Sequence, residues 1–180
     1  KVYIFTRTGT SWTETQTIQS SDIAQGDLFG NSLSFENDTL VVGALNKNNG
    51  TTFFQGAAYV FTRNGGAGNF TQQAKLVSGD GGLADFFGYS VALSGDTIVV
   101  GTPGQAGLGG AGGRGWAYVF TRNGSSWSFQ QKILASDGAA GDAFGTSVAI
   151  SGETIVVGAR MDMIGTVGGQ GSAYVFTRSG

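Results

Sequence analysis

The chain has 180 residues, of which 40% are hydrophobic and only 12% are charged, and its net charge is −2 at pH 7. The ten basic residues are scattered and no apolar run reaches the roughly 20 residues of a membrane span, so neither a nucleic-acid partner nor a membrane span is predicted. Cysteine and histidine are absent, which excludes disulfides, thiolate nucleophiles, Cys/His zinc sites and the usual general base near neutral pH.

The first 20 residues predict two strands joined by a short turn. In residues 3–7 (YIFTR) the two aromatic residues share one face, and residues 12–18 (WTETQTI) keep the same period of two. A period of two is typical of strands that are buried on one face.

Residues 21–78 predict a complete set of four strands. The stretch GDLFGNSLSFENDTLVVGA, which starts at Gly26, contains an alternating strand, a tight turn and a β-branched run that we expect to be buried on both faces. A third strand, Tyr59–Arg63, and a fourth, Phe70–Leu76, repeat the two patterns of the first 20 residues.

Two more copies follow, in residues 79–135 and 136–180, and the last copy has no fourth strand. They contain ADFFGYSVALSGDTIVVGT and GDAFGTSVAISGETIVVGA, followed by the blocks Tyr118–Arg122 and Tyr174–Arg178. The fourth strand of the first of these copies is predicted to place four side chains on one face, with the same register in every copy: Trp127, Phe129, Gln131 and Ile133.

Four antiparallel strands per unit, repeated with one register, predict an all-β fold of propeller blades; an open β-solenoid is the alternative. One blade cannot cover both of its faces, so neighbouring blades must stack. The glycines after Phe144 and Val157 would let backbones approach closely near the axis. Closed propellers need roughly four to eight blades. We therefore expect this segment to belong to a longer polypeptide or to assemble with other copies.

The run from Phe144-Gly145 to Ala159, with the later Tyr174–Phe176 block, resembles the FG-GAP repeat, the blade unit of integrin α-subunit propellers. The likeness recurs from Phe29 to Ala44 and from Phe87 to Thr102. It implies a propeller, usually of seven blades, in an extracellular or cell-surface protein that binds protein or glycan ligands. It does not imply catalysis.

Many members of that family carry an acidic calcium loop, Asp-x-Asp-x-Asp-Gly. Here the loops between the second and third strands, residues 45–50, 103–108 and 160–165, contain a single carboxylate, Asp162. Calcium is therefore in doubt, and no cofactor is predicted.

A pair of aspartates precedes each Phe-Gly sequence. Each pair is either a weak cation site in the loop leading into the blade, or a set of turn caps that bond to N–H groups two or three residues later. Two carboxylates are too few for tight calcium binding unless carbonyl groups supply the rest, so the structural role is favoured. The metal candidates are Asp22, Asp27, Asp80, Asp85, Asp137 and Asp142.

Two other side-chain types recur in register. The arginines that end the third strands could form a binding rim for carboxylates or glycans, or could lie over aromatic rings and pair with the aspartates that lead into each blade. The aromatic residues that begin the fourth strands could form a sugar-stacking platform or the core between blades. Their recurrence favours the architectural roles for Arg7, Arg63, Arg122 and Arg178, and for Trp12, Phe70 and Trp127.

The loops that do not repeat are the better candidates for function, because binding residues usually lie on loops held by a scaffold. Residues 48–55 (NNGTTFFQ), 105–115 and 161–167 leave the same edge of successive blades, and their apolar residues either fold over that edge or form a contact surface. Four N-glycosylation sequons begin at Asn37, Asn49, Asn69 and Asn123, and the turn positions of Asn49 and Asn123 favour those two as acceptors.

The sequence thus predicts a non-catalytic extracellular adhesion, matrix or appendage protein, a rigid scaffold whose edge loops contact proteins or glycans. One alternative is a structural subunit that assembles with other copies into a filament or sheath. A propeller hydrolase or lyase is disfavoured, because it would need a concentrated carboxylate, histidine or metal cluster, and no catalytic residue is predicted.

Overall fold

A computed structural model describes residues 1–63, 65, 68–104, 113–166 and 168–179. These residues form thirteen strands and no helix, and hence no helix long and apolar enough to cross a membrane. The strands are β1 (Val2–Thr8), β2 (Ser11–Ile18), β3 (Phe29–Glu36), β4 (Thr39–Ala44), β5 (Ala57–Thr62), β6 (Thr71–Leu76), β7 (Ser90–Ser94), β8 (Thr97–Thr102), β9 (Trp116–Asn123), β10 (Ser126–Ile133), β11 (Phe144–Ser151), β12 (Thr154–Ala159) and β13 (Ser172–Thr177).

The strands form four antiparallel sheets in chain order: β1-β2, β3-β4-β5-β6, β7-β8-β9-β10 and β11-β12-β13. Strands β3 and β11 both contact β7, so the first strand of each sheet lies towards the centre and the later strands lie progressively outward. This is the arrangement of propeller blades, and it confirms the predicted fold class over the solenoid alternative. The sheets do not close into a ring.

Hydrophobic clusters fill the spaces between neighbouring sheets. We call the side of a sheet that meets the preceding sheet its backward face, and the side that meets the following sheet its forward face. Between the second and third sheets, Val41 and Val60 on a forward face meet Phe87, Tyr118 and Phe120 on a backward face. In the other two clusters an aliphatic forward face likewise meets a backward face that combines aromatic with aliphatic side chains.

The second strands β4 and β8 are buried at every position, as the β-branched run predicts, because their sheets are covered on both faces. The two end faces have no covering sheet. The backward face of the first sheet exposes Tyr3 (54%), Phe5 (52%) and Trp12 (65%), and the forward face of the fourth sheet exposes Val175 (66%).

A β-bulge lies in the middle of each fourth strand. In β10, Phe129 pairs with Phe120 and Gln131 pairs with Val119, so Gln130 has no partner across the ladder. An extra residue reverses which face the following side chains occupy. The corresponding extra residues in β2 and β6 are Thr15 and Gln73.

The bulge makes one prediction wrong: the four side chains of β10 do not share a face. Trp127 packs on the backward cluster of its sheet, whereas Ile133 belongs to the forward cluster. Phe70 and Leu76 of the preceding sheet separate in the same way, into the backward and forward clusters. The fourth strands β6 and β10 therefore each contribute an aromatic start to one interface between blades and an aliphatic end to the next.

Candidate functional site

The second aspartate of each pair closes the turn in which it lies. The Oδ2 atoms of Asp27, Asp85 and Asp142, all of them buried, accept hydrogen bonds from backbone N–H groups three residues earlier. The donor–acceptor distances are 2.7 Å from Ala24, 2.6 Å from Gly82 and 2.5 Å from Ala139. The prediction of a structural bond to a later N–H group is wrong in direction, because the chain folds back onto the preceding residues.

The first aspartate of each pair bonds to side chains of its own sheet. The hydroxyl groups of Tyr59, Tyr118 and Tyr174 lie 2.6, 2.8 and 2.9 Å from an Oδ1 atom of Asp22, Asp80 and Asp137. In the two four-stranded sheets a lysine of the fourth strand completes the group: Lys75 is 2.8 Å from Asp22, and Lys132 is 2.7 Å from Asp80.

These contacts change the acidity of both partners. Burial alone would raise the pKa of Asp22, but the hydrogen bonds from Lys75 and Tyr59 and the charges of Lys75 and Lys47 outweigh it and lower the pKa to about 2. Burial raises the pKa of Tyr59, and the Asp22 carboxylate raises it further, so the phenol stays protonated and donates.

We expect the stability conferred by Asp22 to be lost as the pH falls from about 4 to about 2, because the unfolded carboxyl, with a pKa of about 3.9, takes up its proton first. Between pH 6 and pH 2 the urea midpoint should fall more steeply with decreasing pH in the wild type than in Asp22→Asn. The Lys75→Met variant keeps the carboxylate without its main partner, so its midpoint should also depend less steeply on pH. Equal slopes in all three proteins would contradict the expectation.

The loop after the second strand differs between sheets in the charge that it supplies. In the second sheet the buried Lys47 places its Nζ atom 2.9 Å from Asp27 and 3.6 Å from Asp22. Asp162 stands at the matching position of the fourth sheet, since its N–H donates to Ala159 as that of Lys47 donates to Ala44. An acidic residue thus replaces the ammonium group there.

The hydroxyl of Tyr174 lies 2.9 Å from both Asp137 and Asp162, and its hydrogen can be donated to only one of them at a time. Hydrogen bonds from Ser172 and Tyr174 lower the pKa of Asp162. Within the described ranges, no three side chains among His, Cys, Asp and Glu come together in a way that could hold a metal ion. The contacts of the six candidate aspartates described above are to backbone N–H groups and side chains of the protein, which favours the structural role, and a weak cation site at these pairs stays a prediction.

Three of the four recurring arginines pair with a carboxylate in the turn between the first and second strands. The predicted pairing with the aspartates that lead into the blade is therefore wrong for these three. Arg63, Arg122 and Arg178 lie 2.9, 2.7 and 2.7 Å from carboxylate oxygens of Asp38, Asp96 and Glu153. The predicted contact with aromatic rings is confirmed for two of them. The guanidinium of Arg63 lies 4.9 Å from the centre of the Phe70 ring, and that of Arg122 lies 5.3 Å from the Trp127 ring.

Arg7 and Trp12 have different surroundings, because the first sheet lacks first and second strands. Arg7 donates to the carbonyl of Gly9, and Trp12 is 65% exposed. Phe70, by contrast, is buried and Trp127 is partly buried against the cluster between blades. The prediction that these aromatic residues form the core between blades therefore holds for Phe70 and Trp127 and not for Trp12.

The sequons lie on two sides of the molecule. Asn37, Asn69 and Asn123 are exposed near the turns that join first to second and third to fourth strands. Asn49 lies on the opposite side, in the loop between the second and third strands, where its amide nitrogen donates to the carbonyl of Gly56 at 2.7 Å. Sequence position alone does not distinguish Asn49, whose amide is hydrogen-bonded, from the three exposed asparagines. Glycosylation at all four stays a prediction.

The side of the molecule that carries Asn49 also exposes a group of apolar side chains. We call it the phenylalanine patch: Phe53, Phe54, Leu83 and Phe86. Phe53, Phe54 and Leu83 are 59%, 41% and 44% exposed. Two backbone hydrogen bonds of 3.1 Å, from Ala84 to Phe53 and from Phe86 to Phe54, hold the two segments together, and the rings of Phe54 and Phe86 are 6.5 Å apart.

Phe54 adopts a backbone conformation that bulky residues rarely take, with φ at 53°. The equivalent position in the next sheet is Gly113, since Gln55 and Arg114, the residues after them, accept from Phe87 and Phe144 in the same way. Gly113 has φ at 73°, a conformation natural to glycine. The patch therefore has an exposed aromatic residue, Phe54, at a position where the next sheet has glycine.

A second loop on this side exposes Met161, Met163 and Ile164, at 52%, 58% and 51%. The apolar residues of both loops are thus in solvent and do not fold over the edge of the blades. Most of the glycine-rich loop 105–115 lies outside the described residues, as does residue 167 of the third loop. These loops could be singled out from the sequence because they do not repeat. No pattern in the sequence indicated that Leu83 and Phe86 belong to the same patch.

A family model described as FG-GAP repeat matches residues 12–61, 70–120 and 127–176. Each match begins in the fourth strand of one sheet, or one residue before it, and ends in the third strand of the next. Comparison with curated proteins gives no significant match.

Proposed function

The chain belongs to the FG-GAP repeat family, and on that premise we propose that it is an extracellular, non-catalytic binding module that contacts a protein partner through the phenylalanine patch. FG-GAP repeats are typical of extracellular and cell-surface proteins, which supports the location. The propeller supplies a rigid frame, and the partner meets loops at one side of it.

The observation that carries the proposal is the conformation of Phe54. A bulky residue at positive φ costs about 1–3 kcal/mol, and such strain is concentrated at functional sites. Because the Phe54 side chain is 41% exposed, little packing energy compensates for that strain within the chain. Exposed aromatic residues are also the side chains that most often dominate the energy of protein interfaces.

The surroundings of the acidic residues support a non-catalytic role. Asp27, Asp85 and Asp142 accept from backbone N–H groups, and Asp22 and Asp80 are ion-paired with lysines of their own sheets. Carboxylates that are already bonded to groups of the protein are less available to a substrate. A screen for glycosidase and phosphatase turnover is expected to give no activity, and saturable turnover would contradict the proposal.

Binding can be measured by coating surfaces with the protein and counting retained cells of the source organism. Removing both rings, in Phe53→Ser/Phe54→Ser, should lower retention by about tenfold or more, as expected for loss of two interface aromatics. Trp12→Ser is the control, because it removes an aromatic residue that is even more exposed, at 65%, from a different surface. Equal losses in both variants, or no loss in the double variant, would exclude the patch as the contact.

The single variant Phe54→Gly separates binding from folding. It should raise the free energy of unfolding by about 1 kcal/mol, because glycine adopts the positive φ without strain. It should also weaken retention. A variant that is both less stable and less adhesive would instead indicate that Phe54 serves the fold.

A further inference from the structure

The second sheet holds an amine and a carboxylate in direct contact, shielded from water. The side chains of Lys47 and Asp27 are each 7% exposed, and the Nζ atom of the lysine lies 2.9 Å from the Oδ2 atom of the aspartate. Taking two charges out of water is costly, and their mutual attraction often fails to repay that cost. A reaction between the two groups that removed both charges would relieve it.

Backbone hydrogen bonds hold both residues in place. The N–H of Lys47 donates to Ala44 at 3.0 Å, and its carbonyl accepts from Gly56 at 2.9 Å. The carbonyl of Asp27 accepts from Asn46, the residue before the lysine, at 3.2 Å. Two groups that folding fixes against each other react as if they were very concentrated, because the entropy of bringing them together is already lost. The carboxyl carbon of Asp27 is one bond from Oδ2, so the amine is placed for attack on it.

A second carboxylate, that of Asp22, lies beside the same amine. Its Oδ2 atom is 3.6 Å from the Nζ atom of Lys47, and its backbone carbonyl accepts a hydrogen bond from that Nζ. The hydroxyl of Tyr59 and the ammonium of Lys75 hold this carboxylate in place, at 2.6 and 2.8 Å. Asp22 can therefore take a proton from the attacking nitrogen and deliver it to a leaving oxygen, first as a general base and then as a general acid.

We propose that Lys47 and Asp27 form an intramolecular isopeptide bond after the chain has folded. One proton passes from the ammonium group to the Asp27 carboxylate, and the lone pair of the amine then forms the Nζ–Cγ bond. Asp22 takes a second proton from the nitrogen and gives it to the departing hydroxyl, so the Cγ–O bond breaks and one water leaves. One positive and one negative charge disappear, and the step needs no oxidant or reductant.

The hydrogen-bond partners that such an amide requires are already in place. The N–H of Ala24 donates to the Oδ2 atom of Asp27 at 2.7 Å. It therefore stabilises the oxygen on which negative charge develops during the attack, and it remains bonded to that oxygen in the amide. The N–H of the amide would donate to the carbonyl of Asp22, as the ammonium of Lys47 does. A buried amide whose two polar groups are both bonded avoids the cost of an unsatisfied group.

The fourth sheet provides a comparison within the same chain. Asp142 accepts from the N–H of Ala139 as Asp27 accepts from Ala24, but Asp162 stands at the position of Lys47 and supplies no amine. The bond is therefore specific to the second sheet. It would join residues 20 positions apart in a chain that has no cysteine to form a disulfide. The proposal does not depend on the phenylalanine patch.

The intact mass of the 180-residue chain, produced in a host that attaches no N-glycans and measured under denaturing conditions, tests the bond. The mass should lie about 18 Da below that of the sequence, the difference of one water. Trypsin should release residues 8–63 as one peptide, because an acylated lysine at position 47 is not cleaved. Further cleavage after Glu36 cuts the chain between the two bonded residues, and should leave residues 15–36 covalently joined to residues 37–63.

The bond should depend on the folded structure. A chain recovered from inclusion bodies in urea is expected to have the full mass and to lose the water only after dilution into native buffer. Asp22→Asn keeps both bonded residues but removes the proton acceptor, so its mass should change more slowly by about 100-fold or more.

Two further variants assign the bond to its residues. Lys47→Arg keeps the positive charge but removes the nucleophilic amine, so this variant should have the full mass of its sequence. Asp142→Ala is the matched control, because it removes the equivalent carboxylate from the sheet that supplies no amine at this position. It should keep the deficit of one water.

A wild-type chain of full mass would overturn the proposal and leave a buried ion pair, and this measurement needs no variant to fold. A deficit that persists in Lys47→Arg would also overturn it, because the water would then have been lost elsewhere, as in a succinimide at an Asp-Gly sequence. Fragmentation of the joined peptides should place the bond on Asp27. A bond placed on Asp22 would contradict the assigned roles.

Discussion

Replacement of Phe120 by alanine is expected to lower the free energy of unfolding by about 3–5 kcal/mol, the usual cost of truncating a buried aromatic residue. Phe120 is 5% exposed, and its ring lies 6.0 Å from those of Phe87 and Phe129. The cluster joins two sheets, and we expect the neighbouring side chains to fill the space only in part. Urea titration monitored by tryptophan fluorescence measures the loss.

Phe5→Ala provides the matched control. Phe5 holds the same position in the first sheet as Phe120 in the third, but it is 52% exposed because no sheet covers that face. Its truncation should change stability by less than about 1 kcal/mol. If the two variants lost equal stability, or if Phe120→Ala were neutral, the assignment of these aromatic residues to covered and uncovered backward faces would be wrong.

Gly145→Ala is expected to be comparably damaging for a different reason. A Cβ atom at Gly145 would lie 2.4 Å from the carbonyl oxygen of Trp116 and 2.9 Å from the nitrogen of Thr102, and both are backbone atoms that cannot rotate away. The residue also has φ at 89°. Strain and overpacking together should cost about 3–5 kcal/mol.

Gly30→Ala separates these two contributions. Gly30 is the equivalent residue of the second sheet and has φ at 97°, but its nearest atom to an added Cβ is a Val2 methyl group at 3.4 Å. The Gly30→Ala variant should therefore lose only the free energy that comes from backbone strain, about 1–2 kcal/mol. Thermal unfolding of both variants gives the difference, and equal losses would show that close approach between sheets contributes nothing at Gly145.

The fold could be predicted from the sequence because its signal is repeated. Period-two patterns, β-branched runs and turn residues recur around Phe29, Phe87 and Phe144, so four-stranded units follow from local chemistry alone. The bulges could not be predicted this way. Thr15, Gln73 and Gln130 are ordinary strand residues, and their extra position is visible only in the pairing with the neighbouring strand.

The candidate site was harder to predict than the fold, since it depends on contacts between units. The partner of Arg122 is Asp96, which the sequence places 26 residues earlier and does not distinguish from the aspartates before Phe-Gly. The exposure of Phe53 and Phe54 is consistent with a loop that does not repeat. The positive φ of Phe54 is not encoded in any local pattern, because glycine is the residue that normally indicates it.

The offset between repeat and sheet determines how cooperatively such a chain unfolds. Each family repeat starts with a strand that completes the sheet of the repeat before it, as Trp127–Ile133 does for the third sheet. When one repeat unfolds, its neighbour loses a row of main-chain hydrogen bonds as well as a packed face. The coupling between neighbours is then large relative to the stability of a single repeat, which favours all-or-none melting over stepwise loss of blades.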